Sequence, residues 1–403
     1  MTLPFRNLFF GNDSAYAVTE TVLRRDLFAT FLDKSPGECD GTVLDGRYIG
    51  QTGDVILDDL RTPIVLAPMA GGPSTPELAV AVSAAGGLGF LAAGYLGAGD
   101  TADRIVRTRA LLPKPAPFGV NLFVPGAPTP PEHFAVYLDR LGREFTLGEA
   151  RFDTDDWDAK LDVLVTDPVS VVSFTFGCPS AAEVARLHAV GSEVWVTVTS
   201  VAEARIAIET GADVLIAQGA EAGGHRGTFV DRAADDAADP LSTLALLQLL
   251  TTAVEAPVVA AGGIATGAGI AAALAAGAAA AQLGTAFLNC PEAGTAQLHR
   301  DALAIDAPTM LTRAFSGRRA RGLRNRFILD HPDAPAAYPE IHYATGPLRK
   351  EARAAGNADA VNLWAGQTHG LTRDLPAAEL VRALSAETRN ALKLALSHTI
   401  QDC

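Results

Sequence analysis

Residues 193–218 read EVWVTVTSVAEARIAIETGADVLIAQ. Two apolar runs, EVWVTV (193–198) and DVLIAQ (213–218), flank VAEARIAIETG (201–211), a helical segment that closes on glycine at a C-cap position. The same alternation extends in both directions, from Arg61 to about Asn289. Upstream lie PIVLA (63–67), LGFLA (88–92), FGVNLF (118–123) and VSVVSFTF (169–176); downstream lie PVVAAGG (257–263) and AAAQLGTAF (279–287). Helical segments such as PELAVAVSAAG and AAEVARLHAVG fit between successive runs. Strands covered on both faces read as continuous apolar runs, the signature of a parallel sheet. Eight such strands alternating with helices predict an α/β fold of the (β/α)8 TIM-barrel type. A doubly wound sheet is the competing arrangement, but PMAGGPS after the first run holds no G-x-G-x-x-G phosphate fingerprint.

Composition narrows the class further. The 403 residues are 48% hydrophobic and 19% charged, which excludes a disordered chain. A net charge of −14 argues against nucleic acid or an anionic membrane surface as partner. The four cysteines, Cys39, Cys178, Cys290 and Cys403, show neither a C-x-x-C pair nor metal-ligand spacing, so a reduced, cytoplasmic chain without a metal is expected. MTLPFRNLFFGND lacks a basic stretch followed by a sustained apolar one, so no signal peptide is expected. The charge-free stretch 256–291 is broken by Pro257 and by glycines at 262, 263, 267, 269, 277 and 284, and predicts strand, helix and strand rather than a membrane span.

Three regions follow from this pattern: an aperiodic extension over 1–50, expected to be poorly ordered and dispensable; the barrel over 51–290; and a mainly helical C-terminal addition over 291–403. Between the third and fourth runs, EHFAVYLDRLGREF and DTDDWDAKLDVLV predict two helices. The basic run RAFSGRRARGLRNRF (313–327) is expected to salt-bridge to the barrel or to cover a small anionic ligand.

Chemistry in such barrels sits where strands end at their C-terminal edge. After strands seven and eight stand AAGGIATG (260–267) and QLGTAF (282–287), whose glycines let backbone N–H groups approach a phosphate. A phosphate-bearing cofactor is therefore expected. Strand six leads into QGAEAGGHRGTF (218–229), where His225 stands among four glycines on a segment that reads as polar and flexible; at neutral pH an imidazole there serves as acid, base or orienting donor. After strand one, Met69 in APMAGG is either plain core packing or lays a soft side chain and backbone against a flat ring. Asn121 in GVNLF is a buried amide that needs partners, which a bound heterocycle would supply. Cys178 in FGCPS reads as a small buried residue.

Together the segments APMAGG, AVSAAGGLGFLAAGYL, FGVNLFVP, VVSFTFGCPS, QGAEAGGHRG, AAGGIATG and QLGTAFLNCPEA resemble the nitronate monooxygenases, formerly called 2-nitropropane dioxygenases. The resemblance runs from about Pro63 to Phe287, with further matches to Trp364. It implies a TIM barrel with a C-terminal addition that binds FMN non-covalently. It would set Ala67, Pro68 and Met69 against the flavin ring, with Asn121 and Gln218 hydrogen-bonded near it. Gly223 would be close-approach backbone. Gly262, Gly263, Gln282, Leu283, Gly284 and Thr285 would hold the phosphate, and His225 would be the active-site histidine. AYPEIHYATGPLRK (337–350), with Tyr338, His342 and Tyr343, and NLWAGQ (362–367) resemble the substrate-side and closing regions. The implied activity is oxidation of alkyl nitronates, propionate 3-nitronate among them, by O2 to carbonyl compounds and nitrite, a form of nitroalkane detoxification. Arg226, next to His225, would either hold a substrate carboxylate or form a surface ion pair. The implied assembly is a monomer or homodimer without nucleic acid or membrane. An NAD(P)H-dependent FMN reductase of quinones or enoyl thioesters is the rival on the same barrel, and an idle binding barrel a second.

Overall fold

The computed structural model describes residues 55–234 and 239–399; the extension over 1–50 lies outside the described residues. Eight parallel strands carry the fold: β1 (Ile64–Leu66), β2 (Gly89–Ala92), β3 (Phe118–Phe123), β4 (Val171–Thr175), β5 (Glu193–Val198), β6 (Val214–Gln218), β8 (Val258–Ala261) and β9 (Ala280–Leu283). β7 (Gly224–His225) belongs to a second sheet. The eight run in the order β1-β9-β8-β6-β5-β4-β3-β2, and a parallel bridge between Val65 and Leu88 joins the two ends. Leu66 N donates to Leu88 O at 2.9 Å and Leu88 N to Ile64 O at 3.0 Å, so the sheet closes into a barrel. All eight strands expected from the apolar runs are present.

Strand parity sets what each side chain meets, because successive residues point to opposite faces. On β5, Val194, Val196 and Val198 join the outer core beneath the helices, whereas Trp195 packs inside the barrel with Val65, Phe90 and Val214. The helix Ile56–Asp59 plugs the base, with Leu57 packed into that inner cluster. Glu193, also inward, accepts the Ile56 N–H at 2.6 Å and the Trp195 Nε1–H at 2.9 Å.

The two helices expected between β3 and β4 are Ala135–Leu141 and Trp157–Thr166. After β9, residues 291–376 form helices and an antiparallel hairpin, β10 (Thr309–Thr312) with β11 (Ala320–Leu323). The long helix Ala377–Thr399 then returns to the barrel wall. It packs against Gly267–Ala275 and Pro76–Ala84 and buries Leu380, Val381 and Leu384 among Ile64, Leu66 and Leu283. It occupies the place of the eighth outer helix, so the segment before it is an insertion between the last strand and the last helix. The contact is intimate: a Cβ on Gly267 would come within 2.2 Å of the Glu387 Cβ. No helix among the described residues is long and apolar enough to cross a membrane.

Candidate active site

A cavity of about 570 Å³ opens at the C-terminal ends of the strands, within the ~300–1,000 Å³ typical of ligand pockets. Its floor follows from parity. The last inward residues of the strands, among them Ala67, Asn121, Thr175, Thr197, Gln218 and Gln282, form a ring beneath it. Leu283, one residue further along β9, has the opposite parity. It faces the outer helices and does not line the cavity, so its expected contact with a phosphate is reduced to backbone, and its C=O already accepts from Ala67 N at 2.9 Å.

One end of the cavity is a cradle of backbone. Gly262 (φ +117°) and Gly263 (φ +66°) adopt left-handed conformations that favour glycine, and a Cβ on Gly262 would come within 2.9 Å of Thr243 Oγ1. Gly284 caps a short 3-10 turn, Thr285–Phe287. Thr285 Oγ1 accepts the Gly366 N–H at 3.0 Å, and Gly366 and Thr368 line this end too. Between cradle and floor, Gln282 is 6% exposed and its Oε1 has no hydrogen-bond partner. A buried acceptor of this kind calls for a donor from whatever fills the cavity. Ala67, Pro68 and Met69 line the adjacent wall, with Met69 N held by Ser74 Oγ at 2.8 Å.

Two amides are engaged within the protein. Asn121 donates through Nδ2 to Ser173 Oγ at 3.0 Å and to Thr175 Oγ1 at 3.1 Å. The partners this amide was expected to find in a heterocycle are thus partly supplied by β4. Gln218 clasps the next loop, donating from Nε2 to His225 O at 3.0 Å and accepting from Gly227 N at 2.8 Å. Gly223 lies on the cavity wall, and a Cβ there would come within 2.5 Å of Gly366 N, so the close approach is to the crossing chain at 365–366.

The other end is an aromatic chamber of Tyr95, Phe123, Phe176, His225, His342 and Trp364, with Arg349 on its wall. The segment bearing His225, expected to be a flexible loop, is instead the strand β7. His225 pairs with Ala320 and Gly224 with Arg321 on β11. Arginines tie its carbonyls down: Arg226 donates to Gln218 O at 2.9 Å and Gly219 O at 2.6 Å, Arg321 to Ala220 O at 2.8 Å, and Arg318 to Thr228 O. Arg226 is therefore a buried staple outside the cavity, and not a receptor for a substrate carboxylate. The basic run acts likewise, with Arg313 also paired to Asp231 at 2.8 Å.

His225 Nε2 lies 2.9 Å from Ser316 Oγ. The ring stands 5.8 Å from Phe176, 5.6 Å from Tyr338 and 5.5 Å from Trp364. Burial, together with the Arg318 and Arg349 guanidiniums, drives its pKa down to about 3, so the imidazole is neutral at physiological pH. Of the three residues expected on the substrate side, His342 lines the cavity and stacks on Tyr95 at 4.1 Å. Tyr338 stands behind it, donating to Tyr95 Oη at 3.1 Å, and Tyr343 lies outside beneath the Arg151 guanidinium. Tyr95, Phe123, Phe176 and Arg349 were not singled out from sequence, although Phe123 and Phe176 end the third and fourth apolar runs. Cys178 is half-buried beside Thr210, away from the cavity.

A closed parallel barrel with a glycine cradle at one end of its mouth and a neutral imidazole in an aromatic chamber at the other defines an enzyme of the TIM-barrel class. The chain belongs to the nitronate monooxygenase family, whose profile matches residues 56–387. It is 44% identical to a nitronate monooxygenase of Pseudomonas aeruginosa over 346 residues, which cover 82% of this chain and 97% of that protein. The crystal structure of a nitroalkane oxidase from Streptomyces ansochromogenes is 50% identical and superposes with a TM-score of 0.81, covering 85% of this chain and 99% of that one. FabK from Thermotoga maritima is more distant, at 27% identity and a TM-score of 0.64, over 86% of this chain and all 100% of that one.

Proposed function

We propose that the protein is an FMN-dependent nitronate monooxygenase, oxidising alkyl nitronates with O2 to carbonyl compounds and nitrite. The observation that carries this reading is the joining, in one cavity, of the glycine cradle to a chamber walled by Arg349 and neutral His225. The residues present fit FMN: Gly262, Gly263, Gly284 and Thr285 offer backbone to a phosphate, and the unpartnered Gln282 Oε1 offers an acceptor to a ring N–H. When bound, FMN supplies the electron acceptor of the oxidation.

The protein's own groups select the substrate's charge state. Arg349 is 7% exposed, and its guanidinium favours an anion in the chamber. The same positive field opposes an imidazolium, so His225 is neutral before the nitronate enters. The Ser316 hydroxyl, 2.9 Å from His225 Nε2 and 3.2 Å from the Arg318 carbonyl oxygen, holds the ring in place. Aromatic walls exclude water from the reacting carbon.

A second reading, that neutral nitroalkanes are also used with His225 as base, draws on the name of the Streptomyces relative. The depressed pKa weakens it, because a poor proton acceptor gains little from general base catalysis. Anaerobic mixing with a nitronate, a nitroalkane, NADH or NADPH tests all readings at once. The nitronate alone should bleach the flavin, and readmitted O2 should yield nitrite. Rapid bleaching by NADH or NADPH with none by the nitronate would establish the reductase instead.

A further inference from the structure

Tyr95 is, with Phe176 (φ +78°), one of two aromatic chamber residues whose backbone is left-handed. It sits just beyond β2 with φ +66°, in the left-handed region where a bulky residue is strained. Its side chain makes the chamber's outer wall: it stacks on His342 with the planes 5° apart, meets Phe123 edge-on at 5.4 Å, and receives the Tyr338 hydroxyl proton. What holds the strained backbone is remote in sequence. The Tyr95 N–H donates to Asp155 Oδ1 at 2.8 Å. The other carboxylate oxygen, Asp155 Oδ2, lies 2.8 Å from Lys160 Nζ, and neither of these two atoms has a further hydrogen-bond partner. Lys160 is 1% exposed, on the helix Trp157–Thr166. A lysine so buried is rare unless paired, and a buried pair is a weak device for stability but a sound one for holding a single geometry.

We propose that the Lys160–Asp155 pair is a positioning device that fixes Tyr95 as the wall limiting the length of the substrate's carbon chain. Asp155 anchors the Tyr95 amide, and Lys160 opposes the burial that raises the Asp155 pKa and keeps its carboxyl aimed; Asp155 is itself left-handed at φ +57° and receives no help from a relaxed backbone. Without the anchor, Tyr95 relaxes to negative φ and its ring leaves the His342 stack. The chamber then lengthens on the side away from the cradle. The inference rests on the nitronate reading for its substrate, but the anchoring itself does not.

Two double variants separate positioning from the loss of an ion pair. Asp155→Asn with Lys160→Met removes both charges and keeps an oxygen acceptor for Tyr95 N–H. Asp155→Ala with Lys160→Met removes the acceptor as well. In the FMN-loaded enzyme, the ratio of kcat/KM for hexyl over ethyl nitronate should rise ~10-fold or more in the alanine pair, the lower end of the ~10–200-fold that one methylene is worth in a tight pocket. It should stay at the wild-type value in the asparagine pair. Amide hydrogen exchange of the Tyr95 peptide, read without substrate, should be fast in the alanine pair and protected in the other two proteins. Equal chain-length ratios and equal protection in both double variants, with a common fall in Tm, would overturn the proposal. Wild-type protein inert towards nitronates, with the exchange pattern as expected, would sink the substrate assignment and leave the anchor standing.

Discussion

The two ends of the cavity are built on opposite principles. The cradle is main chain: Gly262, Gly263 and Gly284 contribute conformation and N–H groups, and come from two short segments that each directly follow a strand. The chamber is side chain: Tyr95, Phe176, His225, His342 and Arg349 come from the ends of β2 and β4, from β7 and from the insertion at 291–376. A cradle of backbone tolerates little in the way of added atoms but asks nothing of its neighbours' identity. A chamber of side chains depends on each ring being held by another segment, as His225 is by Ser316 and β11. Damage should therefore be total at the first and graded at the second.

The harshest test is Gly284→Asp. A Cβ there already stands 3.3 Å from the Ala67 Cβ, and the carboxylate would face the phosphate, so the purified variant should lack flavin absorbance and all turnover. Retained flavin would dissolve the distinction between the two ends. Next comes His225→Asn, which should leave flavin content intact. If His225 acts as a base, turnover of a neutral nitroalkane falls by ~10²–10⁴ while the nitronate rate changes far less. An equal fall for both substrates would assign the ring to anion positioning alone. In neither case should the wild-type kcat/KM profile for a nitronate show a pKa near the ordinary histidine value, since burial and the Arg318 and Arg349 guanidiniums push His225 down to about 3.

Arg349→Met should act mainly on binding, raising KM for a nitronate ~10-fold with a smaller change in kcat, the scale of a lost charge-assisted contact. A pure kcat effect would show that Arg349 only supports His342, whose carbonyl it bonds at 2.6 Å. A control at the barrel base should touch neither end. Burial raises Glu193 from 4.5 to about 7. A carboxyl with a raised folded-state pKa contributes stability below about 4.5 and loses it as pH rises through about 7. The Tm of Glu193→Gln relative to wild type should therefore climb by about 2–5 °C between pH 5 and 8. A pH-independent difference would mean that Glu193 is ionised throughout. The smallest effect is expected from removing residues 1–52, which should leave flavin content and Tm unchanged, because the base plug begins at Val55.

How much of this was legible in the chain follows the same division. The eight strands, the glycine cradle and the placing of His225 are local matters. Continuous apolar runs report burial on both faces, and paired glycines report close approach, whatever lies elsewhere. The outward turn of the Leu283 side chain is a local matter too, since period-two alternation from Gln282 sets it. The direction of Arg226 was not legible, because a guanidinium follows whichever acceptors the fold presents, and here the carbonyls of Gln218 and Gly219 lie within reach. Nor was the pinning of the glycine-rich segment as β7, which needs β11 from about a hundred residues further on. The helix Ala377–Thr399 shows the limit most plainly. Its amphipathic pattern predicts a helix with one buried face, but only the closed barrel, with an open position between Gly267–Ala275 and Pro76–Ala84, determines which surface buries it.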